Sequence, residues 1–315
     1  MKLQTHISLH PENNQIDYHS EVLLMGSCFS ENIGNEMEAV KFNVLQNPFG
    51  IIFNPLSIER LVLRALEGNA FSEKDLFEFE GYWRTFDSHS LLKNANKEAL
   101  LSNLNQRLAA LETYLKTGSH LFFTLGTAHV YRLKEEGKVV ANCHKVPQKM
   151  FSKHLLSISE ISESLHRICD SIRSVNHRAP VIFTVSPVRH LKDGFIENTR
   201  SKSHLIAAVH NTLKETEHSF YFPAYEIVMD ELRDYRFYAE DMIHPNKTAI
   251  RILWDRFSQV WVASETLGIQ KEIRSVQQGL NHRPFDPDSE AHREFTRKLE
   301  EKIDRLQQEI PHLKF

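Results

Sequence analysis

Cysteine is scarce in this chain: three in 315 residues, Cys28, Cys143 and Cys169, with no CxxC pair among them. That argues against a disulfide framework and against a zinc knuckle. Histidine is plentiful, at 18, yet no HExxH and no tight His/Cys cluster occurs, so neither a metal site nor a cofactor is expected. Neither sign of charge dominates, with 38 basic against 41 acidic residues, which removes the electrostatic reason for a nucleic-acid or membrane-surface partner. No apolar run is long enough to span a bilayer. The polar stretch Met1 to Asn14 lacks the apolar core of a signal peptide, and these absences together point to the cytoplasm. Internal repeats and low-complexity segments are also missing.

What is present is an alternation of buried strands and amphipathic helices. Glu21–Met25 reads as a first buried strand and Phe42–Leu45 as a second. Leu121–Leu125 and the β-branched Val181–Val185 read as two more, and Phe220–Pro223 ends a further segment. Between them lie helical patterns: Phe29, Ile33, Met37 and Val40 on one face, a segment after Pro55, Glu98–Leu115, Ile158–Val175, a helix at about 199–215, and Asn246 to Val262 with its stripe of Ile250, Leu253, Trp254, Phe257 and Trp261. For the first of these helices Ser30 is a suitable N-cap, with Glu31 in an acidic first turn. Tyr131 to Cys143 reads as a hairpin turning at Glu135 to Lys138. The aromatic stretch 68–95 reads as an insertion or lid. Such alternation implies an α/β domain with a parallel sheet covered on both faces. From about Gly268 the chain becomes charged and is broken by Pro284 and Pro287; its last helix carries Phe295, Leu299, Ile303, Leu306 and Ile310 on one face. A helix packed across its own domain is the stronger reading of that stripe, and a homodimerisation helix the weaker.

Sites on parallel sheets lie beyond the carboxyl ends of the strands. Three such ends carry chemistry here: Gly26-Ser27-Cys28, Gly126-Thr127, and Ser186-Pro187-Val188-Arg189 followed by His190. Far apart in sequence, they are expected to converge. A thiol at a strand-to-helix turn sits near the positive end of the helix, which favours its anion; a small buried hydrophobe is the plainer reading of a free cysteine. Near the other end of the chain, Asp241-Met242-Ile243-His244-Pro245 places an aspartate three residues before a histidine in a loop. Folded back, Asp241 accepts the Nδ1–H of His244 and leaves Nε2 free as a base. Pro245 keeps His244 extended and outside the following helix.

Taken together, Gly26-Ser27-Cys28-Phe29-Ser30 and Asp241-x-x-His244-Pro245 resemble the GDSL/SGNH hydrolase superfamily. Within it, Gly-Ser-Cys-Phe-Ser is similar to the signature of the GSCFA family, an SGNH-like group. Leu125-Gly126-Thr127-Ala128, Asn142-Cys143-His144-Lys145, Ser186 to His190 and Tyr221 to Glu226 support the match, which covers roughly residues 1–265. A helical extension, 266–315, lies outside it. The resemblance implies a three-layer α/β/α sandwich around a parallel sheet of about five strands. It further implies an ester hydrolase or acyltransferase working through a covalent acyl-enzyme, with His244 as base and Asp241 orienting it. Aligned on the glycine, Cys28 takes the nucleophile's place and Ser27 the place of the superfamily's aspartate; by residue type alone the nucleophile is Ser27. Gly50 corresponds to the oxyanion glycine. The superfamily's oxyanion asparagine falls on Ala128, which has no side-chain donor, leaving Thr127, Asn142 and His144 to replace it. Arg189 and His190 are placed to hold an anionic or polyol group. The implied substrate is a small-molecule or carbohydrate-like acyl ester. The rival is a non-catalytic module that binds such a ligand, and a redox-sensing thiol is a third reading, requiring Cys143 or Cys169 close to Cys28.

Overall fold

A computed structural model describes residues 4–283, 285–286 and 289–315; Pro284 and Pro287, read above as breaking the tail, lie outside the described residues. The central sheet has five parallel strands: β1 (Glu21–Gly26), β2 (Asn43–Gln46), β5 (His120–Leu125), β9 (Val181–Val185) and β10 (Ser219–Tyr221), in the order β10-β9-β5-β1-β2. The chain runs from β1 outward to β2 and then crosses back to β5 on the other side of β1. The order therefore reverses between β1 and β5, and that is where an open parallel sheet leaves a crevice at its carboxyl edge.

The interior strands read as unbroken apolar runs because both faces are covered. On β1, Leu23 and Met25 point into one core with Phe123 of β5 and Phe183 of β9, while Val22 and Leu24 point into the other with Phe122 and Ile182. The first core is closed by α2 (Pro55–Leu66), α3 (Lys97–Thr117), α4 (Ile158–Val175) and α5 (Gly194–Glu215). The second is closed by α1 (Cys28–Ala39), α7 (Lys247–Trp261), α8 (Thr266–Leu280) and α9 (Glu290–Glu309), with the short turn α6 (Ala224–Glu226) between β10 and α7. This is a three-layer α/β/α arrangement with a helical C-terminal segment, as expected from the alternation of elements. The apolar stripe of α9 packs on its own chain: Leu306 and Ile310 are buried in the second core, and Leu299 approaches Gly279 of α8.

Two smaller sheets decorate the carboxyl side. The hairpin of β3 (Phe77–Phe79) and β4 (Tyr82–Arg84) turns through Glu80 and Gly81, both at positive φ, within the aromatic stretch 68–95. The expected hairpin around Glu135 forms between β6 (His129–Leu133) and β7 (Val139–Val140), pairing Tyr131 with Val140. A third strand, β8 (Phe151–Leu155), joins it antiparallel on the other edge, which the sequence reading did not foresee.

One boundary differs in a way that matters for the site. α1 is capped by Ser27 rather than Ser30: the Ser27 hydroxyl accepts the Phe29 N–H at 3.2 Å, and Cys28 is the first helical residue. Gly26 makes the early start possible. At φ +141 it presses against β5, and a Cβ there would stand 2.2 Å from the Thr124 carbonyl oxygen. Ser30 is buried inside the helix, its hydroxyl donating to Thr124 Oγ1 at 2.7 Å. Among the described residues no helix is long and apolar enough to cross a membrane.

Candidate functional site

The three strand ends do converge. Gly26 pairs with Thr124 in the β1–β5 register, and the Ser27 N–H donates to the Thr124 carbonyl at 3.1 Å. On the other side of β5, the Ser186 N–H donates to the Leu125 carbonyl at 2.8 Å. Cys28 therefore sits over the switch point, half-buried, at the amino end of α1. Burial raises its thiol above the ordinary range; the charge of Lys202 and the N–H groups of Cys28 and Phe29 act in the opposite sense. Ser27 is only 2% exposed and its hydroxyl already accepts the capping bond. The loop after β2 secures the turn: Asn47 Oδ1 accepts the Gly26 N–H at 2.8 Å, and the Ile52 N–H donates to the Gly26 carbonyl at 3.0 Å.

Asp241 and His244 form the anticipated pair. Nδ1 of His244 donates to Asp241 Oδ2 at 2.6 Å, and the backbone N–H groups of Ile243 and His244 donate to Oδ1 at 2.9 and 3.0 Å. Those bonds stabilise the carboxylate and hold Asp241 down to about 2. Both side chains are about half-exposed, at 46% and 51%. Their loop is tied down by the bond from the Ala239 N–H to the His244 carbonyl (2.8 Å) and by a bridge between Tyr238 and Pro245. No hydrogen bond joins His244 to Cys28 among the described residues. Arg189 reaches the same loop, donating to the Tyr238 hydroxyl at 3.1 Å and lying over its ring.

His190 stands between the halves of the site. It packs on Phe53 with ring centroids 4.9 Å apart and against Gly126. Burial, followed by the charges of Lys202 and His244, pushes its imidazole down to about 4, so it is neutral at physiological pH. It also lines a cavity of about 270 Å³ with Phe53, Thr127, His129, Asn142 and Cys143.

The residues expected to form the oxyanion hole, Gly50 and the three substitutes for the missing donor, fare differently. The Gly50 N–H is already given to the Asn47 carbonyl at 2.7 Å, and Gly50 at φ +73 serves a turn packed on His89. Thr127 Oγ1 is engaged by Ser201 Oγ (3.0 Å) and by the His129 N–H (3.1 Å). Asn142 Oδ1 accepts the His144 N–H at 2.8 Å, and its side chain lines the cavity. His144 is buried edge-on against Phe77 and Phe86, outside that cavity, where desolvation lowers it to about 4. Cys169 is buried in α4 beside Ser219, and all three cysteines are free thiols.

Two residues were missed. Asn47, 7% exposed, anchors Gly26 and leaves its Nδ2 buried without a partner; an asparagine after a strand end reads as an ordinary turn residue. Lys202 is 1% exposed and donates to the carbonyls of Gly126 and Ser186, each at 2.6 Å. In sequence it is one of many charged residues on a helix, and no local signal marks it. Among the described residues no group of three or more His, Cys, Asp or Glu side chains is placed to hold a metal.

The site thus consists of an α/β sheet with a thiol over its switch point and a hydrogen-bonded Asp–His pair in the loop that Arg189 reaches. The GSCFA family model matches residues 21–257, and that of the GSCFA domain protein C-terminal domain matches residues 273–315. The chain belongs to the GSCFA family. No curated protein matches it.

Proposed function

We propose that this GSCFA protein is an SGNH-like hydrolase or acyltransferase that acts on an O-acyl ester through a covalent intermediate on Cys28. The observation that carries this reading is the Asp241–His244 bond. It fixes the Nδ1–H tautomer and leaves Nε2 free, at the same sheet edge as a helix-terminal thiol. Cys28 is favoured over Ser27 because Ser27 is buried and its hydroxyl is committed to the cap. The thiol gives up its proton to a base at the site and attacks the acyl carbonyl carbon, the oxyanion is met by the Cys28 N–H at the start of α1, and the alcohol departs with a proton from His244. A thioester then passes its acyl group to water or to an acceptor hydroxyl. The cavity beside His190 suits a small acyl or carbohydrate-like group, and Arg189 suits an anionic or polyol portion of it.

The alternative, a module that binds such a ligand without turning it over, draws on one observation: Gly50 and Thr127, two of the four expected oxyanion donors, are already engaged within the fold. Turnover of an activated acyl ester by wild type, Cys28→Ala, Ser27→Ala and His244→Ala separates the two. Loss in Cys28→Ala and His244→Ala with retention in Ser27→Ala supports the enzyme. Saturable ligand binding, unaffected by His244→Ala and without product, supports the module.

A further inference from the structure

Lys202 is an unusual residue to find where it is. Among the described residues it is the only buried lysine, and its hydrogen bonds go to backbone carbonyls rather than to a carboxylate. An ammonium withdrawn from water without a counter-charge is strongly disfavoured, so its position calls for a reason. Its two bonds, at 2.6 Å to the Gly126 and Ser186 carbonyls, hang Nζ from the carboxyl ends of β5 and β9. The turn carrying Cys28 is fastened to the end of the same β5, through Thr124. A lysine offers three donors as ammonium, and a lone pair as amine.

We infer that Lys202 is the proton acceptor for Cys28, and that the exposed His244–Asp241 pair serves the alcohol rather than the thiol. This rests on the reading of Cys28 as nucleophile. It divides the proton traffic between two bases: neither is hydrogen-bonded to the thiol among the described residues, but His244 is tied to Asp241 in an exposed loop, whereas Nζ of Lys202 is held at the buried ends of β5 and β9, to the first of which the Cys28 turn is fastened. As Sγ bonds to the acyl carbon, Nζ takes the thiol proton. The cycle starts with Lys202 as amine and His244 as imidazolium, so that when the C–O bond breaks the alkoxide receives the Nε2 proton of His244. In the second half His244 takes the acceptor's proton, the new C–O bond forms, the C–S bond breaks, and Nζ returns its proton to Sγ. Both bases end as they began.

The surrounding charges fit this assignment. The groups acting on Lys202 are Cys28 and Arg189: burial lowers the ammonium to about 7, the charge of Arg189 adds to that, and a thiolate at Cys28 opposes it. The groups acting on Cys28 are Lys202 and, more weakly, Glu31, which raises it. An amine titrating near neutrality is suited to general-base work. His190, the other nitrogen base between the two halves, is too weakly basic at about 4.

Two measurements on the full chain test the assignment. The first is the rate of Cys28 alkylation by iodoacetamide at neutral pH in wild type, Lys202→Met and His244→Asn. Lys202→Met is expected to slow it about tenfold or more, corresponding to a thiol pKa rise of one unit or more, with His244→Asn within about twofold of wild type. Should Lys202→Met disturb the fold, the second measurement leaves the lysine in place: the titration of the Lys202 side chain by NMR in wild type and Cys28→Ala. It is expected near neutrality in wild type and lower in Cys28→Ala. A lysine titrating in the ordinary range near 10.4, or unmoved by loss of Cys28, overturns the inference. So does alkylation that depends on His244 and not on Lys202; acyl transfer through Cys28 would then stand, with His244 as the base for both steps.

Discussion

Gly26→Ala is the substitution whose cost the structure specifies most fully. Gly26 lies at φ +141, where an L side chain is strained by roughly 1–3 kcal/mol. Its new Cβ would stand 2.2 Å from the Thr124 carbonyl oxygen and 2.8 Å from Thr124 C and N. These are main-chain atoms of the central strand, so no side chain can swing aside. β1 and β5 must separate at their ends, an overpacking that costs typically another 1–3 kcal/mol. The sum, about 2–6 kcal/mol, is a large part of the 5–15 kcal/mol that holds a typical domain together. Gly137→Ala is the control: φ is +67, but nothing lies within 4 Å of its Cβ, so strain acts alone. Urea unfolding of the three proteins, with the slope checked for constancy, gives the difference. Gly26→Ala is expected to lose about 1–3 kcal/mol more than Gly137→Ala, the packing part of the cost. Equal losses would refute the close contact between the two strand ends.

Further outcomes follow from individual contacts. Asn47→Ala strands the Gly26 N–H and should cost about 1–3 kcal/mol in urea unfolding. Ser27→Ala removes the cap of α1 at a cost of about 0.5–2 kcal/mol while leaving Cys28 chemistry in place, which acylation rates would check. Asp241 should titrate by carboxyl-detected NMR at about 2, so its pairing contributes stability above the unfolded value near 3.9 and loses it as pH falls through about 2; a midpoint near 3.9 would mean the bonds to His244 do not form. For Lys202 the folded value, about 7, lies below the unfolded one, so the unfolded chain binds more protons and stability rises with pH above about 7. Beyond about 8.5 the raised thiol of Cys28 opposes that rise, because the unfolded thiol ionises first. The slope between neutrality and that point should vanish in Lys202→Met.

The sheet was legible because its interior strands are buried on both faces and so read as plain apolar runs at Val22–Met25, Leu121–Leu125 and Val181–Val185. Parallel order then brings their carboxyl ends together, so the meeting of Cys28, Gly126 and Ser186 could be anticipated without knowing any contact. The Asp241–His244 bond was legible because it is local, three residues long, and bounded by a proline. What was not legible depends on partners distant in sequence. β8 has a single buried residue, Phe151, and exists by pairing with β6. The start of α1 moved three residues because Gly26 can approach Thr124, a contact across nearly a hundred positions. Lys202 reads as a solvated helix residue until β5 and β9 are brought over it, and Gly50 lost its N–H to a turn that only the backbone reveals.

The central claim is a covalent acyl-enzyme on Cys28. Its most direct test is intact-mass and peptide-level spectrometry of the protein after brief exposure to an activated acetyl ester, with and without neutral hydroxylamine. The account predicts one acetyl group, located on Cys28, released by hydroxylamine as a thioester is, and absent in Cys28→Ala. An acetyl group on Ser27 that survives hydroxylamine, or no adduct on this turn at all, would contradict it.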